Sequence, residues 1–271
     1  MRPDIGPICF IFHTAFCRST LLVRALNEAH QLVGLNEPGI IASLVNAGAP
    51  AKALLEPVIA LLSRPWSGGG AVFVKATNHA NMLMPGLAAA QPDAKIVLMT
   101  NPLAAFLQSV ARKGMMGRRW GRQLYVELQT YARMDFGMDP RETFAMTDLQ
   151  AAGLAWFLNQ YWFANFRGAH DGDRVRVLDG DRFNDERERT MRSVMALAGL
   201  EMSAGEAQTI AAGPVFSSHS KLGGSFDGEG RGDRLKTSDP FISEEIQKVT
   251  QWVRLIAKEA GLTVPLPHDL F

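Results

Sequence analysis

Short apolar runs alternate with longer segments of helical spacing along most of this chain. The apolar runs predict buried strands at residues 8–12, 32–35, 71–74, 95–99 and 174–178. Segments that predict helices follow, at residues 19–30, at 80–90 and after Pro102. Because strands joined through helices cross over with one hand and lie parallel, we predict a three-layer α/β fold with a central, mostly parallel sheet flanked by helices.

Cap signals predict further helices in the second half of the chain. Thr147 and Gln150 match a capping box, which predicts a helix to about residue 167 whose aromatic side chains belong to the core. Asn184 is predicted to cap a helix that ends near residue 199, and Ser243 a final helix to about residue 260. Residues 213–240 are rich in Gly, Ser and Asp and predict a flexible loop. We expect a single domain over residues 1–271.

The charge and the cysteine content of the chain indicate which partners and which cellular compartment to expect. The chain has 28 basic and 27 acidic residues, and this balance predicts no general attraction to nucleic acid or to a membrane. Its apolar runs are shorter than a membrane span or the core of a signal peptide. The two cysteines, Cys9 and Cys17, are expected to be free thiols, so we predict a cytoplasmic protein. The sequence carries no signal for oligomeric state.

The segment FIFHTAFCRSTLL, at residues 10–22, is the strongest local feature. A buried strand that passes through a tight loop into a helix directs backbone N–H groups and the helix dipole at an anion. The predicted phosphate-binding residues are Thr14, Ala15, Phe16, Cys17, Arg18, Ser19 and Thr20. The pattern G-x-x-x-x-G-K-[ST] of common nucleotide triphosphatases is absent, and the competing interpretation is an ordinary helix start.

Three runs of sequence resemble the PAPS-dependent sulfotransferases, in which PAPS is the sulfonate donor and PAP the product nucleotide. They are FIFHTAFCRSTLLVRALNEAHQLVGLNEPG, VFVKATNHANMLMPGLAAAQPDAKIVLMTNPLAAFLQSVARKG and RVRVLDGDRFNDERERTMRSVMALAGLEMS. The first is similar to the family's 5′-phosphosulfate loop and the second to its second nucleotide segment. The resemblance implies a P-loop sulfotransferase-like fold, PAPS or PAP as the nucleotide, and no metal.

Two departures from the family's motifs affect the nucleotide site. The family's loop reads basic–Ser–Gly–Thr–Thr, and an ungapped count puts Phe16 at the basic position and Arg18 at the glycine position. A slip of one residue instead gives Arg18 the basic role. The family's Arg-Asp-Pro arginine, which pairs with the 3′-phosphate, is replaced by Thr100, and its accompanying serine corresponds to Gln108 or, after a slip, to Ser109.

Several side chains are candidates for acid–base or substrate roles. The resemblance puts Glu37 where tyrosyl-protein and heparan-type sulfotransferases have their catalytic glutamate, while an exposed turn residue is the alternative. His13, at the entrance to the loop, is the other candidate base. Lys75 and His79 follow a strand on the side where α/β proteins bind ligands, which predicts a substrate contact. Lys221 and Arg231 are candidate nucleotide contacts in the glycine-rich segment.

The expected activity is sulfonate transfer from PAPS to a hydroxyl or amine group of a small-molecule or peptide acceptor. In this interpretation Arg18 and the helix start stabilise the leaving phosphate, and Glu37 removes the acceptor proton. One alternative is a small-molecule kinase, with Asp179 and Asp181 as the only plausible magnesium ligands. The other is a non-catalytic nucleotide-binding or interaction protein, which the threonine at position 100 favours.

Overall fold

A computed structural model describes residues 6–29, 32–48, 50–64, 70–217 and 239–271 of the chain. Its contacts group the described residues into two compact units. The first unit comprises the described residues within 1–99, 169–228 and 268–271, and the second comprises the described residues within 100–168 and 229–267. The prediction of a single domain stays a prediction.

The first unit contains a five-stranded sheet. Its strands are β1 (Ile8–His13), β2 (Leu32–Asn36), β3 (Ala71–Lys75), β4 (Lys95–Thr100, the last residue belonging to the second unit) and β5 (Val175–Asp179). Their order in the sheet is β2-β3-β1-β4-β5, and β1 pairs in parallel with both β3 and β4, as β2 does with β3. Every residue of β1 is buried, so both faces of the sheet are covered at its centre.

Helices of the first unit follow β1, β2, β3 and β5. They are α1 (Ser19–Leu26), α2 (Gly39–Ala47), α3 (Ala51–Leu62), a 3-10 helix (Asn78–Leu83), α4 (Met84–Ala90), α9 (Gly180–Asp185), α10 (Arg187–Leu197), α11 (Ala204–Ala211) and α12 (Pro214–Ser217). One apolar core joins the sheet face of Cys9 and Ile11 to α1, α10, α11 and α12. The 3-10 helix packs against β1, and α4 against α3.

The outer edge of β5 is covered by the end of the chain. The Asp269 N–H donates to the Val177 carbonyl at 3.1 Å, and the Asp269 carboxylate accepts from the Val177 N–H at 2.6 Å. Both backbone groups of an edge position are therefore paired, which removes a template for pairing with another strand.

The second unit is helical. It contains α5 (Leu103–Arg112), α6 (Gly114–Leu128), α7 (Pro140–Ala145), α8 (Asp148–Gly168) and α13 (Pro240–Glu259). The central helix α8 packs against α5, α6 and α13. Its approach to α6 is close, since a β carbon on Gly121 would lie 2.8 Å from that of Ala152.

The α/β fold predicted from the hydrophobic pattern is confirmed, with all five strands within two residues of their expected bounds. The capping box is also confirmed: the Gln150 N–H donates to the Thr147 hydroxyl at 3.2 Å, and the Thr147 N–H to the Gln150 side chain at 2.8 Å. The core role of the α8 aromatics is confirmed for the buried Trp156, Phe157, Phe163 and Phe166.

Two cap predictions were wrong. Asn184 lies inside α9, which Asp179 caps by accepting from the N–H groups of Asp181 and Arg182. The last helix begins at Pro240 with Asp239 as its cap, so Ser243 lies in its first turn. Of the predicted loop at 213–240, residues 214–217 are helical and 218–238 lie outside the described residues.

None of the helices in the described ranges combines the length and the apolar character that a bilayer span needs.

Candidate functional site

The candidate site lies where neighbouring strands of the first unit end. In the register of the sheet, Lys75 on β3 is opposite Ile11 on β1 and opposite Asn36 on β2. The loop after β1 and the turn after β2 therefore begin at the same edge of the sheet. This is the carboxyl edge, where open α/β sheets bind their ligands.

The loop between β1 and α1 has an unusual backbone. Ala15, Phe16 and Arg18 have φ angles of 69°, 55° and 63°, in the left-handed region that non-glycine residues rarely adopt. Glu37 is the only other non-glycine residue with positive φ in the described part of the chain. Such conformations persist only where the surroundings hold them, and left-handed residues are components of the backbone nests that bind anions.

His13 supports the loop from the end of β1. Its Nδ1 accepts the Ala15 N–H at 3.0 Å, so its Nε2 carries the proton and donates to the Ala76 carbonyl at 3.0 Å. The His13 carbonyl accepts from the Asn81 side chain at 3.0 Å. The buried imidazole is thus held by backbone groups on both nitrogens, and its role as an alternative base stays a prediction.

The N-terminus of α1 follows the loop directly. The first intrahelical bond runs from the Leu22 N–H to the Arg18 carbonyl, at 3.0 Å. Within the described residues no side chain caps this helix, and no acidic residue lies in its first turn. Ser19 and Thr20, the two predicted hydroxyl contacts, are buried. A helix start without a capping side chain leaves N–H groups and a partial positive charge for an anion.

Cys17 is buried within the loop. Burial raises the pKa of its thiol, against opposing effects from the Ser19 hydrogen bonds and from the charge of Lys75. Thr14, also buried, ties the loop to β4 by donating its N–H to the Met99 carbonyl at 3.1 Å.

The Arg18 side chain points to the turn that begins α9, directly after β5. Its Nη1 donates to the Gly180 carbonyl at 3.0 Å and forms an ion pair with Asp181. The Arg18 side chain is 17% exposed and that of Asp181 45% exposed. The arginine predicted as the cation of the loop thus contacts a carboxylate, and its role as a phosphate ligand stays a prediction.

Gly180 brings the same turn against the loop backbone. A β carbon at this position would lie 2.9 Å from the Cys17 carbonyl carbon, and closer still to its oxygen. Real β carbons do not approach backbone atoms this closely, so only glycine fits here.

Lys75 and Glu37 form the second polar contact of the site. Their ion pair joins the ends of β3 and β2, and the Glu37 N–H also donates to the Lys75 carbonyl at 2.7 Å. The Lys75 side chain is 1% exposed, whereas that of Glu37 is 41% exposed. A buried ammonium is thus neutralised by a carboxylate that solvent or a substrate can reach.

Thr100 and Ser109, both in the second unit, have local hydrogen-bond partners. The buried Thr100 hydroxyl accepts from the Gln160 side chain, whose oxygen accepts the Leu266 N–H at 2.9 Å. The Ser109 hydroxyl donates to the Ala105 carbonyl at 2.9 Å and accepts from Arg112 at 3.2 Å. Their roles as nucleotide contacts stay predictions.

The remaining candidate site residues are His79, Lys221 and Arg231. His79 lies half-buried in the 3-10 helix, and its substrate role stays a prediction. Lys221 and Arg231 lie outside the described residues. Among the residues described, no group of three or more His, Cys, Asp or Glu side chains could hold a metal ion.

Sequence reasoning missed the partners that hold the site together. The sequence analysis predicts only a magnesium-ligand role for Asp181, and no role for Gly180 or Asn81. The signal for the turn was available, because Asp-Gly-Asp directly follows the last predicted strand and so reaches the same carboxyl edge as the loop. The Asn81 contact has no comparable signal in the sequence.

Comparison with known proteins identifies the fold. No protein-family model matches the chain, and no curated protein matches its sequence. A sulfotransferase domain from the curacin biosynthetic pathway aligns with a TM-score of 0.53 and 13% identity, over 97% of this chain and 100% of that domain. The sulfotransferase domain of the Synechococcus PCC 7002 olefin synthase aligns with a TM-score of 0.51 and 11% identity, over 98% and 99%. The chain therefore has a sulfotransferase-like fold.

Proposed function

We propose that this protein transfers a sulfonate group from PAPS to a hydroxyl or amine group of a small-molecule or peptide acceptor. The observation that carries the proposal is the loop at residues 13–20, which enters an uncapped helix start through left-handed residues. The sulfotransferase-like fold supports it, because the loop follows the first strand of that fold. Because Cys9 and Cys17 are free thiols, as in proteins of a reducing compartment, we also propose a cytoplasmic location.

The loop residues fit the phosphate end of a phosphosulfate donor. The donor, when bound, supplies an activated sulfonate and a leaving phosphate that gains negative charge during transfer. N–H groups at the start of α1 and the buried ammonium of Lys75 are the groups of this chain that would stabilise such charge. Both belong to regular secondary structure, which orients these groups before the reaction.

Glu37 is the proposed general base. One carboxylate oxygen, Oε1, bonds to Lys75, and Oε2 has no bond to another described residue. Lys75 therefore fixes the side chain while Oε2 can accept the proton of an acceptor hydroxyl or amine group. The exposed fraction of Glu37 gives an acceptor access to this oxygen.

Thr100 favours a second candidate function. A residue whose hydroxyl is buried and bonded to Gln160 cannot provide the bidentate charge that an arginine offers to a 3′-phosphate. The protein would then use a donor without that phosphate, such as adenosine 5′-phosphosulfate, or would bind a nucleotide without catalysis.

A thermal-shift panel separates these functions, because a ligand that binds only the folded state raises its stability. The panel contains PAPS, PAP, adenosine 5′-phosphosulfate, ATP and GTP, the last two with and without magnesium. We expect PAP and PAPS to raise the unfolding temperature without metal. A larger shift with adenosine 5′-phosphosulfate would favour the changed donor, and a shift with ATP only in the presence of magnesium would favour a kinase and contradict the proposal.

A further inference from the structure

Arg18 occupies a position and a conformation that suit glycine. Its φ and ψ of 63° and 18° lie in the left-handed region, where a side chain raises the energy of the backbone. An ungapped alignment with the family's loop puts Arg18 at the glycine position. An interaction of this arginine must therefore offset the cost of its conformation.

The contacts of the side chain supply that interaction. Nη1 reaches the Gly180 carbonyl at 3.0 Å and the Asp181 carboxylate, both on the turn that begins α9. Charge-assisted bonds of this kind are among the strongest that side chains make. The same turn packs against Cys17 through Gly180, so it contacts the loop at two consecutive residues.

We infer that Arg18 is a positioning residue: its bonds to Gly180 and Asp181 hold the loop in the conformation that receives the anion. This inference rests on the proposed function of the loop. It assigns to Asp181 and Gly180 the support of the site, in place of a role for the Arg18 guanidinium as a ligand.

The two roles of Arg18 predict opposite effects of Asp181→Asn on anion binding. If Arg18 is a ligand, the Asp181 carboxylate competes for it and repels the anion, so its removal tightens binding. If Arg18 is a positioning residue, the neutral amide weakens the bond to the guanidinium, and the loop loses its binding conformation. Weaker binding after the loss of a nearby negative charge is therefore specific to the positioning role.

The experiment measures the dissociation constants of PAP and of inorganic pyrophosphate by calorimetry. The proteins are the wild type, Asp181→Asn, Arg18→Ala, the double variant and the control Arg182→Ala, which removes an exposed cation from the same turn. We expect Asp181→Asn to weaken binding about tenfold, as for a lost charge-assisted bond. Arg18→Ala in the Asp181→Asn background should cost much less than in the wild type, and the control should bind like the wild type.

A second readout separates a loosened loop from a loosened protein. Cys17 lies in the loop and Cys9 in β1, they are the only cysteines of the chain, and both are buried. Alkylation by iodoacetamide, followed by mass spectrometry, reports local opening at each position. We expect Asp181→Asn to speed modification of Cys17 several-fold, while Cys9 stays protected as in the wild type.

Several outcomes would overturn the inference. Tighter or unchanged binding in Asp181→Asn would make Arg18 a ligand or a bystander, and an unchanged rate at Cys17 would show that the turn does not hold the loop. If the wild type binds pyrophosphate but not PAP, only the proposal that PAPS is the donor is refuted. The positioning role of Arg18 is then tested by the affinities of the variants for pyrophosphate. Binding of neither probe would refute both proposals.

Discussion

The two partners of the Glu37–Lys75 ion pair differ in their exposure to solvent. Lys75 is almost fully buried, whereas Glu37 is partly solvated, so the loss of a nearby opposite charge costs the ammonium more than it costs the carboxylate. The left-handed φ of 50° at Glu37 adds a second constraint, since the turn before Pro38 holds a non-glycine residue in a rare conformation. Under the proposed function, both features hold this side chain in place to act as a base.

Glu37→Gln is expected to separate catalysis from nucleotide binding. Glutamine keeps the size and reach of the side chain but accepts no proton at neutral pH, so turnover should fall by ~10²–10⁴. The affinity for PAP should not fall, because Lys75 then has less competition for an anion in the loop. Steady-state kinetics and calorimetry measure the two quantities, with the exposed Glu28→Gln as the control. Wild-type turnover in Glu37→Gln would reduce Glu37 to a turn residue.

His268 gives the protein a predicted pH dependence of stability. Burial, and then the charge of Arg182, lower the pKa of His268 below its ordinary value of 6.5, while Asp179, Asp269 and Glu186 act in the opposite direction. The unfolded chain then binds a proton more readily than the folded protein. Stability should therefore be highest above the ordinary value and fall as the pH drops from about 7 towards 5.

Denaturant unfolding of wild type and His268→Gln at several pH values checks this expectation. The variant should lose less stability than the wild type between about pH 7 and pH 5, because it lacks the titrating group. Parallel curves for the two proteins would show that His268 does not contribute.

The strands and many of the helices were predictable from the sequence, whereas the contacts between distant residues were not. Buried strands give continuous apolar runs, which is why β1 to β5 were predicted within two residues. The helices α2 and α3 were not predicted, since Gly48 and Pro50 lie between them and Pro57 lies inside α3. The loop was predicted from strand–loop–helix order, but its bonds to Asp181 join residues 163 positions apart and depend on where β5 enters the sheet.

Gly180 provides a test of packing between two elements. Gly180→Ala would push a β carbon into the Cys17 backbone, so either the loop or the turn must move. We expect a loss of about 1–3 kcal/mol in the free energy of unfolding and weaker binding of PAP. Gly205→Ala in α11, where a β carbon meets nothing within 4 Å, is the matched control and should be neutral or stabilising. Equal effects of the two substitutions would contradict the close approach.

The candidate site residues of the molecule are distributed over its two compact units. The loop, Glu37, Lys75 and Asp181 belong to the first unit, and Thr100 and Ser109 to the second. The resemblance to the sulfotransferase loop predicts the phosphate end of a nucleotide site in the first group, and this stays a prediction. The sequence could not show that Thr100 is bonded to Gln160, because that contact joins residues 60 positions apart.

The most direct test of the central claim is transfer of the sulfonate group itself. Purified protein is incubated with PAPS and a panel of alcohol, phenol, amine and tyrosine-peptide acceptors, and mass spectrometry detects sulfonated products while chromatography measures PAP. The proposed function predicts that at least one acceptor class gains a sulfonate group with an equal amount of PAP, and that Glu37→Gln slows this transfer by ~10²–10⁴. If PAPS stays intact with every acceptor class, although the same preparation of the protein is folded, the proposed function is contradicted.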